Sequence, residues 1–278
     1  MKFIFNGSFF EDKNALFGSL NRAFLYGDYL AEYAKVSDGK ILLWEEHYFN
    51  LMASMRIFRM KIPLSFTQEF LAEEIQRVLK ENSIQQAKIR ISVYRNADQD
   101  ELLTKASISY LIEIVQENQN SEYYWNRNQA EIDVFKDYTI NPSFYTQVNS
   151  HKPEEIIAVA YSQENEYQDL VLLNPEKRIA RTLLGTPFII QGNQVKTPKL
   201  SEGGIRSITR NYLGQLLEKS DEFTFEESEI FPFELQKSDE MFILVESEGI
   251  QSIHQNRKKT YDTRKTEEIF KLLNSNLV

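Results

Sequence analysis

Cysteine is absent from this 278-residue chain. That removes disulfide frameworks, thiolate metal sites and a cysteine nucleophile. Histidine is scarce: His47, His151 and His254 are the only three, and no H-x-x-x-H metal spacing occurs. His47 sits on a helix with an apolar opposite face and reads as structural, whereas His151 is the better functional candidate. Basic residues are outnumbered, 32 Lys plus Arg against 41 Asp plus Glu. The net charge of -9 argues against nucleic acid as a partner, because a general binder needs a basic surface. The Arg257-Lys258-Lys259 cluster reads as a solvated turn and Glu226-Glu227 as solvated acidic surface. No apolar run approaches the roughly 20 residues that span a bilayer, so no membrane is expected. Charge follows the opening M-K-F-I-F-N-G too soon for a signal peptide, and a cytoplasmic protein is expected. No G-x-S-x-G elbow, Walker A loop or G-x-G-x-x-G is present.

What is abundant is core material. Hydrophobic residues make up 42% of the chain, with 19 Phe and 14 Tyr, enough for a large core and two sub-domains. Strands are expected at residues 3–5, 26–36, 41–43, 88–94, 108–115 and 132–134. Two helices are expected among them: one from Trp44 carrying Tyr48, Leu51, Met52, Met55 and Phe58, the other after a Ser65/Gln68 capping box. The pattern breaks between Phe135 and Lys152. Pro153 then opens a helix. Strands follow at 170–173, 179–180, 187–190 and 195–197, then a helix from Ser207, strands at 223–225 and 241–245, and a terminal helix around 269–273. The expected class is α+β: a small α+β domain over 1–134, a linker over 135–152 and a larger α/β domain over 153–278.

The most informative stretch is residues 197–210, T-P-K-L-S-E-G-G-I-R-S-I-T-R. A Thr-Pro strand end leads through Gly203-Gly204 to a helix start at Ser207, Ile208 and Thr209. Free N–H groups and the positive end of the helix dipole make such a start receptive to an anion. Three further blocks accompany it: Arg22-Ala23-Phe24-Leu25-Tyr26-Gly27-Asp28 with Leu30 and Glu32; Glu45-Glu46-His47 with Leu51 and Ser54; and residues 89–95, I-R-I-S-V-Y-R. Together, in this order, they resemble the class IV aminotransferases, which include branched-chain and D-amino acid aminotransferases and aminodeoxychorismate lyases. The resemblance implies that family's two-domain fold, a homodimer, and pyridoxal phosphate held between domains.

The same resemblance places the family's cofactor residues on positions of different chemistry. The phosphate-binding arginine falls on Asn50. The Schiff-base lysine falls on Val148, or on Asn149 with one deletion. The carboxylate that faces the pyridine nitrogen falls on Arg181, and the asparagine that follows it on Thr186. A carboxylate about 4 Å from a pyridinium attracts it by roughly 4 kcal/mol at an effective dielectric near 20, and an arginine repels it by a similar amount. Lys152 is the nearest substitute amine. It lies four residues beyond Val148, about 6 Å along a helix or about 13 Å along a strand. Lys136, Lys196 and Lys199 fit less well. Phe144-Tyr145 are candidates for lining a cleft.

Three functions stay open on the sequence. The leading one is a family member without cofactor chemistry. It keeps an anion-receptive interdomain cleft built from Ser207, Ile208, Thr209 and Arg210 with Arg181, Asn50 and Thr186, binding at most a small anion. A divergent pyridoxal phosphate transaminase or lyase using Lys152 is the alternative. A cofactor-independent enzyme in the same cleft is the third.

Overall fold

The alternating segments of the first half pair with one another. In the computed structural model, which describes residues 1–11, 18, 20–96, 107–117 and 120–275, Tyr29–Ser37 lies antiparallel to Ala87–Arg95, and Ala87–Arg95 to Ile108–Glu117. Edge to edge, the six strands run Ser8–Phe10, Phe3–Phe5, Ile108–Glu117, Ala87–Arg95, Tyr29–Ser37 and Lys40–Ile41. Period-two alternation sends Leu30, Ala34, Val36, Ile89, Ile91, Val93, Ile112 and Ile114 to one face. There they meet Leu51, Met52 and Met55 of the Trp44–Ile57 helix and Leu71, Ile75, Val78 and Leu79 of the Gln68–Asn82 helix. Each such side chain contributes roughly 1.5–3 kcal/mol when fully buried.

Two details differ from the sequence pattern. The Gln68–Asn82 helix is capped by Thr67, whose Oγ1 accepts from the Phe70 amide at 3.2 Å, not by Ser65. The capping rule asks for a hydroxyl at the residue just before the first helical one, and the chain offers one at both positions. Residues Arg22–Tyr26 form a short helix before the Tyr29–Ser37 strand, which therefore starts three residues later than expected.

The chain forms two compact units. One comprises Met1–Ser121 and Val148–His151, the other Glu122–Gln147 and Lys152–Val278. The sequence pattern put the change at 134 and a linker over 135–152; in the structure the second unit begins at Glu122. The irregular stretch belongs to that unit, apart from residues 148–151. These lie along the Tyr29–Ser37 strand, through an Ala31 amide to Asn149 carbonyl bond of 2.9 Å and a Leu30–Ser150 bridge.

The second unit holds two sheets. One runs Ile179–Thr182, Asp169–Leu173, Glu131–Val134, Gln255–Asn256, Lys259–Thr260. The other runs Thr224–Ser228, Gln194–Pro198, Thr186–Gln191, Glu240–Val245, Gly249–Ser252, Tyr124–Asn126. Side chains of both, including Ile132, Val171, Ile179, Ile189, Met241 and Ile243, meet in a single core. The helix Ile208–Glu218 packs on the second sheet, with Gly214 against Phe225. No described helix is long and apolar enough to cross a membrane.

Candidate functional site

The loop from Thr197 is built to present the start of the Ile208–Glu218 helix. Thr197 is fully buried and donates its hydroxyl to the Pro187 carbonyl at 2.9 Å. Gly203 takes φ +113°, and a Cβ there would lie 2.8 Å from Ile140 Cγ2, so the turn needs glycine. Ser207 is the N-cap, its Oγ accepting from the Arg210 amide at 3.0 Å. The Arg210 side chain turns away, to the Pro198 carbonyl at 2.9 Å and Glu227 at 3.0 Å. Ile208 is buried as the first helical residue.

The sequence pattern leaves this helix start for a small external anion. In the structure the group next to it is the carboxylate of Glu246, which follows the Glu240–Val245 strand. The Thr209 amide donates to Glu246 Oε1 at 3.3 Å and Oε2 at 3.4 Å, and the Thr209 hydroxyl donates to Oε1 at 2.6 Å. The Ser247 hydroxyl meets Oε1 at 3.3 Å, and the Ser247 amide donates to Thr209 Oγ1 at 3.3 Å. The phenol of buried Tyr123 shares this environment. Burial first, and the Glu246 charge second, push its pKa up. Glu246 went unread in the sequence. It is one of two acids in V-E-S-E-G-I, and only the sheet order brings it to a helix start 37 residues away.

The other expected positions fall into two groups, one in each unit. In the second unit, Arg181 is buried and fully engaged: Nε and Nη2 donate to Glu155 Oε1 at 3.1 and 2.6 Å, and Nη1 donates to the Gly203 carbonyl. Lys152, nine-tenths buried, sits near the same groups. Burial is the main reason its pKa falls to about 8, with Glu155 opposing, Arg181 reinforcing and Glu154 opposing. Thr186 starts the Thr186–Gln191 strand opposite Leu244. Phe144 and Tyr145 are exposed and meet edge to face at 5.8 Å.

In the first unit, Asn50 donates to Glu32 Oε2 at 2.8 Å while His47 Nδ1 meets Glu32 Oε1 at 2.7 Å. Asn50 Oδ1 is buried with no hydrogen-bond partner among the described residues, and that atom accepts protons rather than offering them. Val148 is 1% exposed and packs in the apolar core. His151 is exposed beside Gly27, and His254 is held by its amide to the Ala130 carbonyl. No group of three metal-ligating side chains occurs among the described residues.

At the positions that the family resemblance assigns to the cofactor stand Asn50, Val148 and Arg181. An imine needs an amine at position 148, and the side chain there is a buried valine. The phosphate needs donors and positive charge, but Asn50 spends its amide on Glu32 and the helix start faces Glu246. Residues 149 and 150 run extended along the neighbouring strand.

Comparison with known proteins bears on family and fold. The amino-transferase class IV family model matches residues 30–255. The D-alanine aminotransferase of Staphylococcus epidermidis is 31% identical over 96 residues, 34% of this chain and 33% of that protein, so the match spans about a third of the relative's length. The aminodeoxychorismate lyase of Vibrio harveyi is 21% identical over 225 residues, 80% of this chain and 81% of that one. The branched-chain amino acid aminotransferase of Thermobaculum terrenum in its PLP form matches in structure at a TM-score of 0.84 and 16% identity. That match covers 98% of this chain and 92% of the other, a likeness of fold.

Proposed function

This chain belongs to the amino-transferase class IV family, and from that premise we propose that it keeps the family's fold without its pyridoxal phosphate imine chemistry. The observation that carries this reading is Val148: an apolar side chain, 1% exposed, where the family resemblance calls for the lysine. Its neighbours 149 and 150 are hydrogen-bonded to the Tyr29–Ser37 strand, which ties down the backbone at this point. Arg181 supports the same reading, since a guanidinium tied to Glu155 brings positive charge where the pyridine nitrogen calls for a carboxylate. The third reading, a cofactor-independent enzyme, has no observation in its favour.

A second reading has one. Lys152 is a buried amine whose pKa falls to about 8, and a larger neutral fraction near neutral pH makes a better imine-forming nucleophile. One experiment separates the two. The full chain is incubated with pyridoxal phosphate, reduced with borohydride and digested for mass spectrometry. The expected result is no absorbance at the internal-aldimine band and no pyridoxyl adduct on any peptide of the cofactor region. A stoichiometric adduct on Lys152 would sink the loss of imine chemistry and install the second reading.

The homodimer implied by the family resemblance is part of the same proposal. It is supported by the Pro153–Glu164 helix, which exposes Ile156, Ile157 and Val159.

A further inference from the structure

We propose that Glu246 is a built-in anion: its carboxylate occupies the start of the Ile208–Glu218 helix and closes that start to phosphate-bearing ligands. The inference goes beyond the missing lysine, because it rests on different atoms and holds whether or not an amine is in reach. Three independent donors define the arrangement. The Thr209 amide is shared between both carboxylate oxygens at 3.3 and 3.4 Å, the Thr209 hydroxyl donates at 2.6 Å, and the Ser247 hydroxyl lies at 3.3 Å. The Ser247 amide in turn donates to Thr209 Oγ1 at 3.3 Å. That acceptor contact leaves the hydroxyl proton free to point at the carboxylate.

The chemistry follows from what a helix start offers. Its first amides lack intrahelical acceptors and carry the positive end of the dipole, so one anion is favoured there. Glu246 supplies that anion from within the chain. It brings no loss of translational freedom on binding, so a free phosphate must compete with a partner that is always present. A phosphate arriving beside it also meets like charge. The buried arginines that hold the loop and the helix are committed to other partners. Arg210 is turned to Pro198 and Glu227, and Arg181 to Glu155 and Gly203. Ser207 Oγ accepts from the Arg210 amide as the helix cap. The seat is therefore latent: its loop, glycine turn and cap persist, and one side chain shuts it.

The test is a titration of the full-length protein with inorganic phosphate at constant ionic strength. The backbone ¹⁵N–¹H signals of Thr209 and Arg210 are followed. In the wild-type protein neither signal is expected to shift. In Glu246→Ala the Thr209 signal should shift saturably, with phosphate affinity raised about tenfold or more over wild type, as an unshared helix start predicts. Glu246→Ser, which supplies a small hydroxyl beside Thr209, serves in place of the alanine variant if that one does not fold. A saturable phosphate shift at Thr209 in the wild type overturns the proposal, as does a folded small-residue variant that phosphate leaves unmoved. Neither outcome bears on lysine chemistry, and a borohydride-trapped adduct leaves this titration intact, so the two readings fail separately.

Discussion

Lys152 brings an amine to the N-cap of the Pro153–Glu164 helix, where it is 9% exposed. Burial, the largest cause, lowers its pKa from 10.5 to about 8. The folded chain therefore releases this proton earlier than the unfolded chain does. Between about pH 8 and 10.5 the unfolded state holds more protons, so stability rises with pH across that window. Below it, the buried charge costs about 3 kcal/mol, at about 1.4 kcal/mol per pKa unit. Lys152→Met removes the titrating group. The unfolding free energy of wild type relative to this variant, from urea titrations, is expected to climb by about 3 kcal/mol from pH 8 to 10.5. A flat difference over that range would mean the amine is not desolvated. Asn50, Val148 and Arg181 could be named from the sequence as candidate positions, because they stand in or near the blocks that resemble the family's motifs. Their partners could not: Arg181 finds Glu155 at a separation of 26 residues and Asn50 finds Glu32 at 18. No local periodicity encodes those meetings.

Strand Glu240–Val245 shows how elements set such partners. Its first residue and the residue after its last are both glutamates, and each carboxylate meets a helix start. Glu240 Oε1 accepts from the Lys265 amide at 2.8 Å. Oε2 accepts from the Thr266 amide and hydroxyl, both at 2.8 Å, at the beginning of Arg264–Asn274. Glu246 does the same for Thr209. The strand itself was legible from its apolar run, as was the helix from Ser207. What could not be read was that one strand feeds two helix starts, because that depends on sheet order. The Pro232–Lys237 helix also went unread, being six residues long with a single buried side chain, Leu235. Glu240 is 3% exposed, and Glu240→Ala leaves two buried donors of Thr266 and the half-buried Lys265 amide without their acceptor. The expected loss is about 2 kcal/mol, the upper range for a capping group. It should be read as a lower urea midpoint at unchanged slope. A loss below about 0.5 kcal/mol, the floor of that range, would show that the Arg264–Asn274 helix does not depend on this carboxylate.

At the scale of the whole molecule, the Pro153–Glu164 helix leaves much of its apolar surface uncovered. Ala158 and Ser162, one turn apart, are its buried residues, so the face it turns inward is narrow and small. Ile156 is 62% exposed, Ile157 59% and Val159 41%, and Ala160 is exposed as well. A helix that is apolar on more than one side is normally covered on more than one side, and contiguous exposed apolar surface marks an association site. In a symmetric dimer the same patch serves both copies, so one substitution alters the interface twice. The wild-type chain is expected to sediment as two copies of 32.7 kDa. Ile156→Glu combined with Ile157→Glu should give the mass of one copy with an unchanged circular dichroism spectrum, because both residues are solvent-facing within the unit. A wild type that sediments as a single copy removes the homodimer. A doubly substituted variant that still sediments as two copies keeps the dimer but moves its interface off this helix.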